Sequence, residues 1–594
     1  MPKIRWDIAK ILLALFVVWQ ILMSLLLPYV SDVTVSKLGD SAQPEAIELP
    51  YFHRSLPGNT PLNITYVFSM RVHGSMVSSA KIRIIPDDCI ELLKFNYNMI
   101  FVPPEQRCNL NKGFVVDLKD YWGQGDNTLE VQVLDKAVRY GLTIEPVLGD
   151  GWQPSLQRFI SLFLLMGALY AFVLRRLAFD KTIISAALVC LFASVHMVQH
   201  SDFTNRAPDW WGHIEYIRYV ANRWSVPAPM AGWEFYQQPL YYFVAALVGK
   251  IGAFASVPLV FTARYLSLVF MMTFVVYGLL IIRTVISDKK VALLCSLLLL
   301  FWPFFLEIAG RLNNDMLLYP LWAACYYYLL LWSCQREPKR LAQALSLCAV
   351  MLITKTSGIV PLATIILSVW VTTRKPLGGY AKNRMVWKGA IAVVVALAWN
   401  FGRTLYYQAH NSQLAIIISN SNMNRYMAAQ YSDNSLWKFL SINPHILFTN
   451  AFTTYTDDAT GRHYFWQTYF KSLLFGYDSW PFTSLAIAMN CVFLLLVIYT
   501  IAASFTQKLS RDQKFLALCI AVALASQIGI RLLNRETGTN DARMTFPVLL
   551  VFIAYVGTLM QPRDGKTGVV AYTGYALCAG FLAMSAVLMV LITF

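Results

Sequence analysis

Charge is what this sequence lacks. Only 14% of its 594 residues are Asp, Glu, Lys or Arg and 57% are hydrophobic, against roughly 25% and 45–50% in soluble chains. That deficit excludes an ordinary soluble protein and makes a membrane the natural solvent. Acidic residues are scarcer than basic ones, 33 against 49 Lys and Arg, which leaves a net charge of +16. On a soluble chain such an excess would raise nucleic acid as a partner. Here the bases sit in short loops between apolar runs, where the positive-inside rule puts them, and nucleic-acid binding is set aside. Metal-ligand spacing of cysteine is also missing. Of ten cysteines, Cys190, Cys295, Cys325, Cys334, Cys348, Cys491, Cys519 and Cys578 lie in or beside apolar segments and read as small packing residues. Cys89 and Cys108 instead share the one long polar stretch, and form a plausible disulfide if that stretch faces an oxidising compartment. No small-residue cleavage site follows the apolar run from Ile11 to Leu27, which begins with Lys3, Arg5 and Lys10, so the N-terminus reads as an uncleaved anchor.

What is present is a long series of apolar runs. With a hydrocarbon layer of about 30 Å in mind, about 13 spans are expected, near 8–29, 157–177, 182–199, 262–283, 290–307, 314–334, 341–354, 357–373, 386–404, 485–505, 513–530, 544–560 and 568–593. The fold class is therefore a polytopic α-helical membrane protein with an inserted extracytoplasmic β-sandwich. Five regions follow: an anchor over 1–30, the β domain over 31–151, a membrane module over 152–406, an outer loop domain over 407–484 and the last helices over 485–594. The β domain is read from alternating runs such as "NITYVFSMRVHG" and "NTLEVQVLD", with turn residues at Pro86 to Asp88 and Gly123 to Asn127. Its order of runs resembles jelly-roll domains of the galactose-binding type, which makes sugar binding one reading and a structural role the other.

Basic clusters fix the orientation. Arg175, Arg176 and Lys181, then Lys289 and Lys290, then Arg336, Lys339 and Arg340, with Arg374 to Arg384, Lys508 to Lys514 and Arg563 to Lys566, all belong in the cytoplasm. The apolar stretch Tyr236 to Ala255 cannot then cross, since it would invert every later loop; it reads as juxtamembrane or re-entrant, after an amphipathic helix near Trp211 to Trp224. Parity gathers Ser201 to Trp233, Gly310 to Asp315, Tyr407 to Phe482 and Arg535 to Arg543 on the outer face. A carboxylate among aromatics at a membrane surface can serve as a general base, although the same Trp and Tyr residues can simply anchor a solvated loop. The loop Tyr407 to Phe482 carries Asp433, Asp457, Asp458, His463 and Asp478 and reads either as an acceptor platform or as an ordinary interfacial loop.

An Asp after an outward-going span, then "HIEYIRYVANRWSVP", then "EFYQQPLYY" resembles the first outer loop of the GT-C glycosyltransferases, which include protein O-mannosyltransferases and lipid A aminoarabinose transferases. Further matches are Gln237 to Tyr242, Arg264, "GRLNNDMLL" around Asp315, "TKTSG" at Thr354 to Gly358, and "RMTFPVLL" from Arg543, so that the resemblance covers about residues 180–560. It implies a polyprenyl-phosphate-linked sugar as donor and a glycan, lipid or protein as acceptor; the location expected by default is a bacterial inner membrane with the site on its periplasmic face. Asp209 takes the place of the first-loop base and Asp202 is the alternative. The family often has Asp-Glu there, and this chain has Asp209-Trp210, one carboxylate fewer. Asp315 matches the second-loop acid, which orients the acceptor or a divalent metal, or else serves as a helix cap. Lys355, Arg543 and Arg311 would meet the donor phosphate, because positive charge on the outer side needs a reason, with snorkelling to headgroups as the plain alternative. His213, Glu215, Tyr236 and Gln238 would hold sugar or acceptor. A transporter or lipid-linked-sugar flippase is the rival class, weakened by the lack of a clear internal repeat, and a scaffold presenting the β domain is a third reading.

Overall fold

The computed structural model describes residues 8–26, 29–40, 43–49, 51–54, 64–73, 81–108, 113–123, 126–135, 139–147, 154–200, 209–229, 231–254, 257, 259–372, 383–410, 441–453, 464–476, 479–533, 541–561 and 568–593. It divides into two compact units, one formed by Met1–Phe172 with Gly249–Thr262 and the other by Val173–Val248 with Ala263–Phe594.

The first unit holds α1 (Ile8–Leu26), ten strands and the start of α2 (Pro154–Arg176). The strands are β1 (Tyr29–Lys37), β2 (Glu45–Ala46), β3 (Tyr51–Arg54), β4 (Ile64–His73), β5 (Lys81–Pro86), β6 (Cys89–Phe95), β7 (Asn98–Met99), β8 (Phe114–Asp117), β9 (Asn127–Asp135) and β10 (Arg139–Val147). They form a six-stranded sheet in the order β2-β1-β4-β9-β6-β7 and a four-stranded sheet in the order β3-β10-β5-β8. Period-two burial explains why. Along β9 the residues Leu129, Val131 and Val133 point inward, and from the other sheet Ile82, Ile84, Val116 and Leu142 meet them in one apolar core. Cys89 and Cys108 are bonded to each other, with Cα atoms 4.2 Å apart. The bond closes the β6–β7 hairpin and the turn after it, where Ile90 N–H also donates to the Arg107 carbonyl at 2.8 Å.

The second unit is helical. It contains α3 (Lys181–His200), α4 (Trp210–Arg223), most of α5 (Leu240–Phe254) and α6 (Leu259–Val285), α7 (Lys289–Leu300), α8 (Phe304–Ile308), α9 (Asp315–Gln335), α10 (Pro338–Leu352), α11 (Ile359–Thr372) and α12 (Arg384–His410). After these come α13 (Pro444–Thr449), α14 (Phe465–Phe475), α15 (Thr483–Thr506), α16 (Arg511–Leu533), α17 (Val548–Met560) and α18 (Val569–Thr593). Among the described residues eight helices are long and apolar enough to cross a membrane, those at Phe159–Arg176, Lys181–Gln199, Leu259–Val285, Asp315–Gln335, Arg384–Tyr407, Thr483–Thr506, Arg511–Leu532 and Val569–Ile592. The protein is integral to a membrane.

The remaining apolar runs fold as shorter helices, for identifiable reasons. The run 290–307 breaks after Leu300 at Phe301 to Pro303 and resumes as the five-residue α8. The run 357–373 opens with a 3-10 turn over Thr356–Gly358 before α11, and 544–560 begins with another over Ala542–Thr545, so that α17 keeps 13 residues. At 1.5 Å per residue a 13-residue helix is about 20 Å long, less than the hydrocarbon thickness. Both 3-10 turns lie beside proposed site residues. The segment expected to be juxtamembrane is the 15-residue α5, and the amphipathic helix expected near Trp211 is α4.

Candidate active site

Thirteen residues line one partly open cavity: Asp209, Trp210, His213, Glu234, Tyr236, Gln237, Arg311 to Asp315, Lys355 and Arg543. Four stretches far apart in sequence thus converge, all within the second unit.

Asp209 precedes α4 at its N-cap position, yet its side chain makes no capping hydrogen bond. The carboxylate is instead held by the Trp233 indole, whose Nε1–H donates to Oδ1 at 3.3 Å. An Asp released from capping keeps lone pairs free for a proton. Trp233 and Glu234 reach α4 because residue 212 is glycine. A Cβ there would come within 2.8 Å of Glu234 Cγ and 3.0 Å of Trp233 Cδ1.

The loop carrying them is clamped from α12. Arg403 donates through Nη1 to the Tyr236 and Gln237 carbonyls at 3.2 and 3.0 Å, and through Nη2 to those of Pro227 and Phe235 at 3.1 and 2.7 Å. One planar fork satisfies four carbonyls, which an ammonium cannot reproduce. Arg403→Lys is therefore expected to cost about 3 kcal/mol through lost charge-assisted bonds. A thermal melt of the purified variant checks this, and an unchanged midpoint would show that the clamp is idle.

Lys355 is placed by the way α10 ends. A helix leaves its last carbonyls unpaired, and here three neighbours take them. Asn400 Nδ2 donates to Leu352 O at 3.0 Å, Leu240 N to Ile353 O at 3.1 Å, and Asn314 Nδ2 to Thr354 O at 3.3 Å. The chain then turns back sharply through Gly358, where a Cβ would lie 2.8 Å from the Met351 carbonyl carbon. Lys355 is left extended, and its Nζ donates to Asp315 Oδ1 at 2.6 Å. Asp315 is itself the first residue of α9, where the helix dipole favours an anion, and only 3% of its side chain is exposed. Asn314 also donates to Gln237 Oε1 at 3.0 Å, which ties this corner to the loop after α4.

Arg543 comes from the 3-10 turn before α17. Asp541 Oδ1 accepts from its backbone N–H at 2.9 Å, the Asp541 carboxylate forms an ion pair with its Nε at 2.9 Å, and Tyr319 Oη–H donates to its carbonyl at 2.9 Å. Arg311 also reaches the wall, but its guanidinium is paired with the buried Glu307. Lys355 and Arg543 keep 20% and 23% of their side chains exposed, against 4% for Arg311, so they are the cations a ligand in the cavity can meet.

Of the expected sugar-binding group, His213 and Tyr236 line the cavity, whereas Glu215 and Gln238 are not among its lining residues; Gln237 takes the wall position next to Gln238. Burial lowers the His213 imidazole to about 3, and its Nδ1 shares a hydrogen bond with Tyr242 Oη at 2.8 Å. A ring that neutral at physiological pH positions other groups and is a poor proton acceptor. Asp202 and the loop residues Asp433, Asp457, Asp458, His463 and Asp478 lie outside the described residues.

Sequence reasoning missed Glu234. It is buried, accepts from Gln237 Nε2 at 3.1 Å and restores a second carboxylate beside Asp209. Burial first, and then the charge of Asp209, push its carboxyl up to about 8. A neutral acid next to a charged one divides donor and acceptor roles between two like groups. Its signal in the sequence was a lone acid three residues before the Gln-Gln-Pro motif. A divalent metal fits poorly: among the described residues no three His, Cys, Asp or Glu are grouped to hold one, and Lys355 already occupies the Asp315 carboxylate.

Residues 237–401 match the family model described as dolichyl-phosphate-mannose-protein mannosyltransferase. Over that segment the resemblance to the GT-C glycosyltransferases holds. It supplies Gln237, Arg311 to Asp315 and Lys355 to the cavity, while Asp209, Glu234 and Arg543 lie outside it. Among solved structures, the oligosaccharyltransferase AglB from Archaeoglobus fulgidus, in complex with an inhibitory peptide and a dolichol-phosphate, is 11% identical with a TM-score of 0.39. That alignment covers 70% of this chain and 55% of the archaeal one, so the chain spans little more than half of that enzyme. ArnT from Cupriavidus metallidurans bound to undecaprenyl phosphate is 14% identical with a TM-score of 0.31, covering 67% of this chain and 77% of its own. No curated protein matches.

Proposed function

We propose that this chain is a GT-C-type glycosyltransferase that moves a sugar from a polyprenyl-phosphate carrier to a hydroxyl of an extracytoplasmic glycan, lipid or protein, with inversion. The observation that carries this reading is the convergence of Asp209, Lys355 and Arg543 on one cavity whose wall includes the GT-C-like segment. Asp209 accepts the proton of the acceptor hydroxyl as its oxygen bonds to the anomeric carbon. The bond from that carbon to the phosphate oxygen breaks, and the lipid phosphate leaves with its electron pair toward Lys355 and Arg543. Asp315 holds Lys355 in place. The charge pattern suits an anionic leaving group: Glu234 and His213 are neutral, Arg311 is paired with Glu307, and Lys355 and Arg543 are the cations that keep exposed surface on the wall. The location proposed is a bacterial inner membrane with the cavity and an inserted β-sandwich on the periplasmic side.

The decisive assay supplies purified protein in nanodiscs with labelled polyprenyl-phosphate sugar and candidate acceptors. Release of free lipid phosphate with labelled product is expected. Translocation of intact donor, with no lipid phosphate released, would replace the enzyme with the flippase reading.

Glu234 gives a pH signature. Its proton is lost near the ordinary 4.5 in the unfolded chain but only near 8 in the folded one. Its contribution to folding is therefore fully present below 4.5 and is lost as pH rises through 8. Glu234→Gln, neutral throughout, should melt with the wild type at pH 4 and well above it at pH 8, by up to roughly 5 kcal/mol. Transfer by the wild type should fall as pH passes 8, when a second negative charge appears beside Asp209, and the Gln variant should lack that alkaline limb. Parallel pH profiles for the two proteins would rule this role out.

A further inference from the structure

The β6–β7 hairpin presents an apolar tip with no counterpart in the core. Tyr97, Met99 and Phe101 are 95%, 70% and 77% exposed. The two turn residues Asn96 and Tyr97 have φ of +48° and +67°. A two-residue turn of this kind ordinarily takes Gly at its second position, and an aromatic held there at positive φ suggests a use outside the fold. The tip is also held rigidly. Asn96 Nδ2 donates to Asn127 Oδ1 at 2.6 Å and to the Tyr121 carbonyl at 3.1 Å, while Asn96 Oδ1 accepts from Thr128 N at 2.8 Å.

Strand register fixes which end of the domain carries the tip. Tyr29 pairs with His73, Val72 with Asn127, Leu129 with Phe95 and Phe95 with Asn98, so the tip lies at the end where β1 begins. There α1 finishes at Leu26 and β1 starts at Tyr29, a gap the chain crosses in about 10 Å. In the other sheet Val147 pairs with Lys81 and Lys81 with Asp117, two residues before the turn at Lys119–Tyr121 whose last carbonyl Asn96 holds. β10 therefore ends at the same edge, six residues before α2. Glu48 Oε2 accepts from the N–H of Leu259, the first residue of α6, at 3.3 Å. Because Arg54 pairs with the start of β10, Glu48 lies toward its finish. Within the first unit, chain continuity thus brings the end of the apolar helix α1, and one hydrogen bond brings residue 259, to the edge that displays the tip.

We infer that Tyr97, Met99 and Phe101 dock the β domain on the surface of the bilayer into which the chain's own helices insert, at headgroup depth. Aromatic side chains with a polar tip favour that interface, and a rigid apolar finger there limits the domain's swing.

The test uses the full chain in nanodiscs of phosphatidylethanolamine and phosphatidylglycerol, with photoreactive benzoylphenylalanine replacing Phe101 or Tyr97. Leu38, exposed and at the opposite end of β1, serves as the control position. An intact Cys89–Cys108 bond on non-reducing mass analysis reports that the domain is folded. Lipid adducts at 97 and 101 should exceed those at 38 by about five-fold or more, as expected for residues in the interface rather than in water. Equal yields at all three positions would overturn the proposal, and so would adducts at 101 that join protein to protein instead of lipid.

Discussion

Asp209→Asn should lower sugar transfer by about a thousand-fold, the span usual for a lost general base, while leaving the protein folded. The amide keeps an oxygen for the Trp233 indole hydrogen bond, which is the described side-chain contact holding this residue, and capping of α4 is untouched because the native side chain does not cap. Insertion, melting temperature and donor binding should therefore stay near wild type. Only the proton acceptor goes. Transfer within a few-fold of wild type would remove Asp209 from the reaction, and Glu234 would become the next carboxylate to examine.

Lys355→Met should act twice. The ammonium lies 2.6 Å from the Asp315 carboxylate, which has only 3% of its surface exposed. Removing one partner of such a pair leaves a charge stranded out of water and costs about 3 kcal/mol. Affinity for the lipid-phosphate donor should fall as well, since one of the two cations with exposed surface in the cavity is gone. The two losses can be separated. Asp315→Asn added to Lys355→Met relieves the stranded charge, so the double variant should regain most of the melting temperature and still fail to bind donor or transfer sugar. Donor binding that recovered with stability would assign Lys355 a structural role only.

Much of this architecture was readable in advance because it depends on local chemistry. Alternation along Asn127–Asp135 is a strand pattern whatever packs against it, and the helix expected near Trp211 formed at Trp210–Arg223. Motif positions picked out Asp209, Asp315, Lys355 and Arg543, which share a cavity. Finer placements were not readable. Of the two glutamines before Pro239 the one on the wall is Gln237 and not Gln238, because the facing of a residue in the turn before a helix depends on how that turn is held, here by Asn314 and Arg403. Glu234 and Arg403 were missed for a related reason. An acid in an outer loop and a base near a helix end look like solvated charges until burial and four carbonyl contacts give each a task.

The sequence by itself determined the solvent, the helix and strand periods and the residue types available for chemistry, since transfer free energy and side-chain period are properties of short segments. Only the tertiary structure decided which charges neutralise one another. Arg311 is spent on Glu307, Lys355 is shared with Asp315 across 40 positions, and Glu234 is kept neutral next to Asp209. The physical reason is that Coulomb energy and desolvation depend on distance through space and on the water left between groups, and packing sets both.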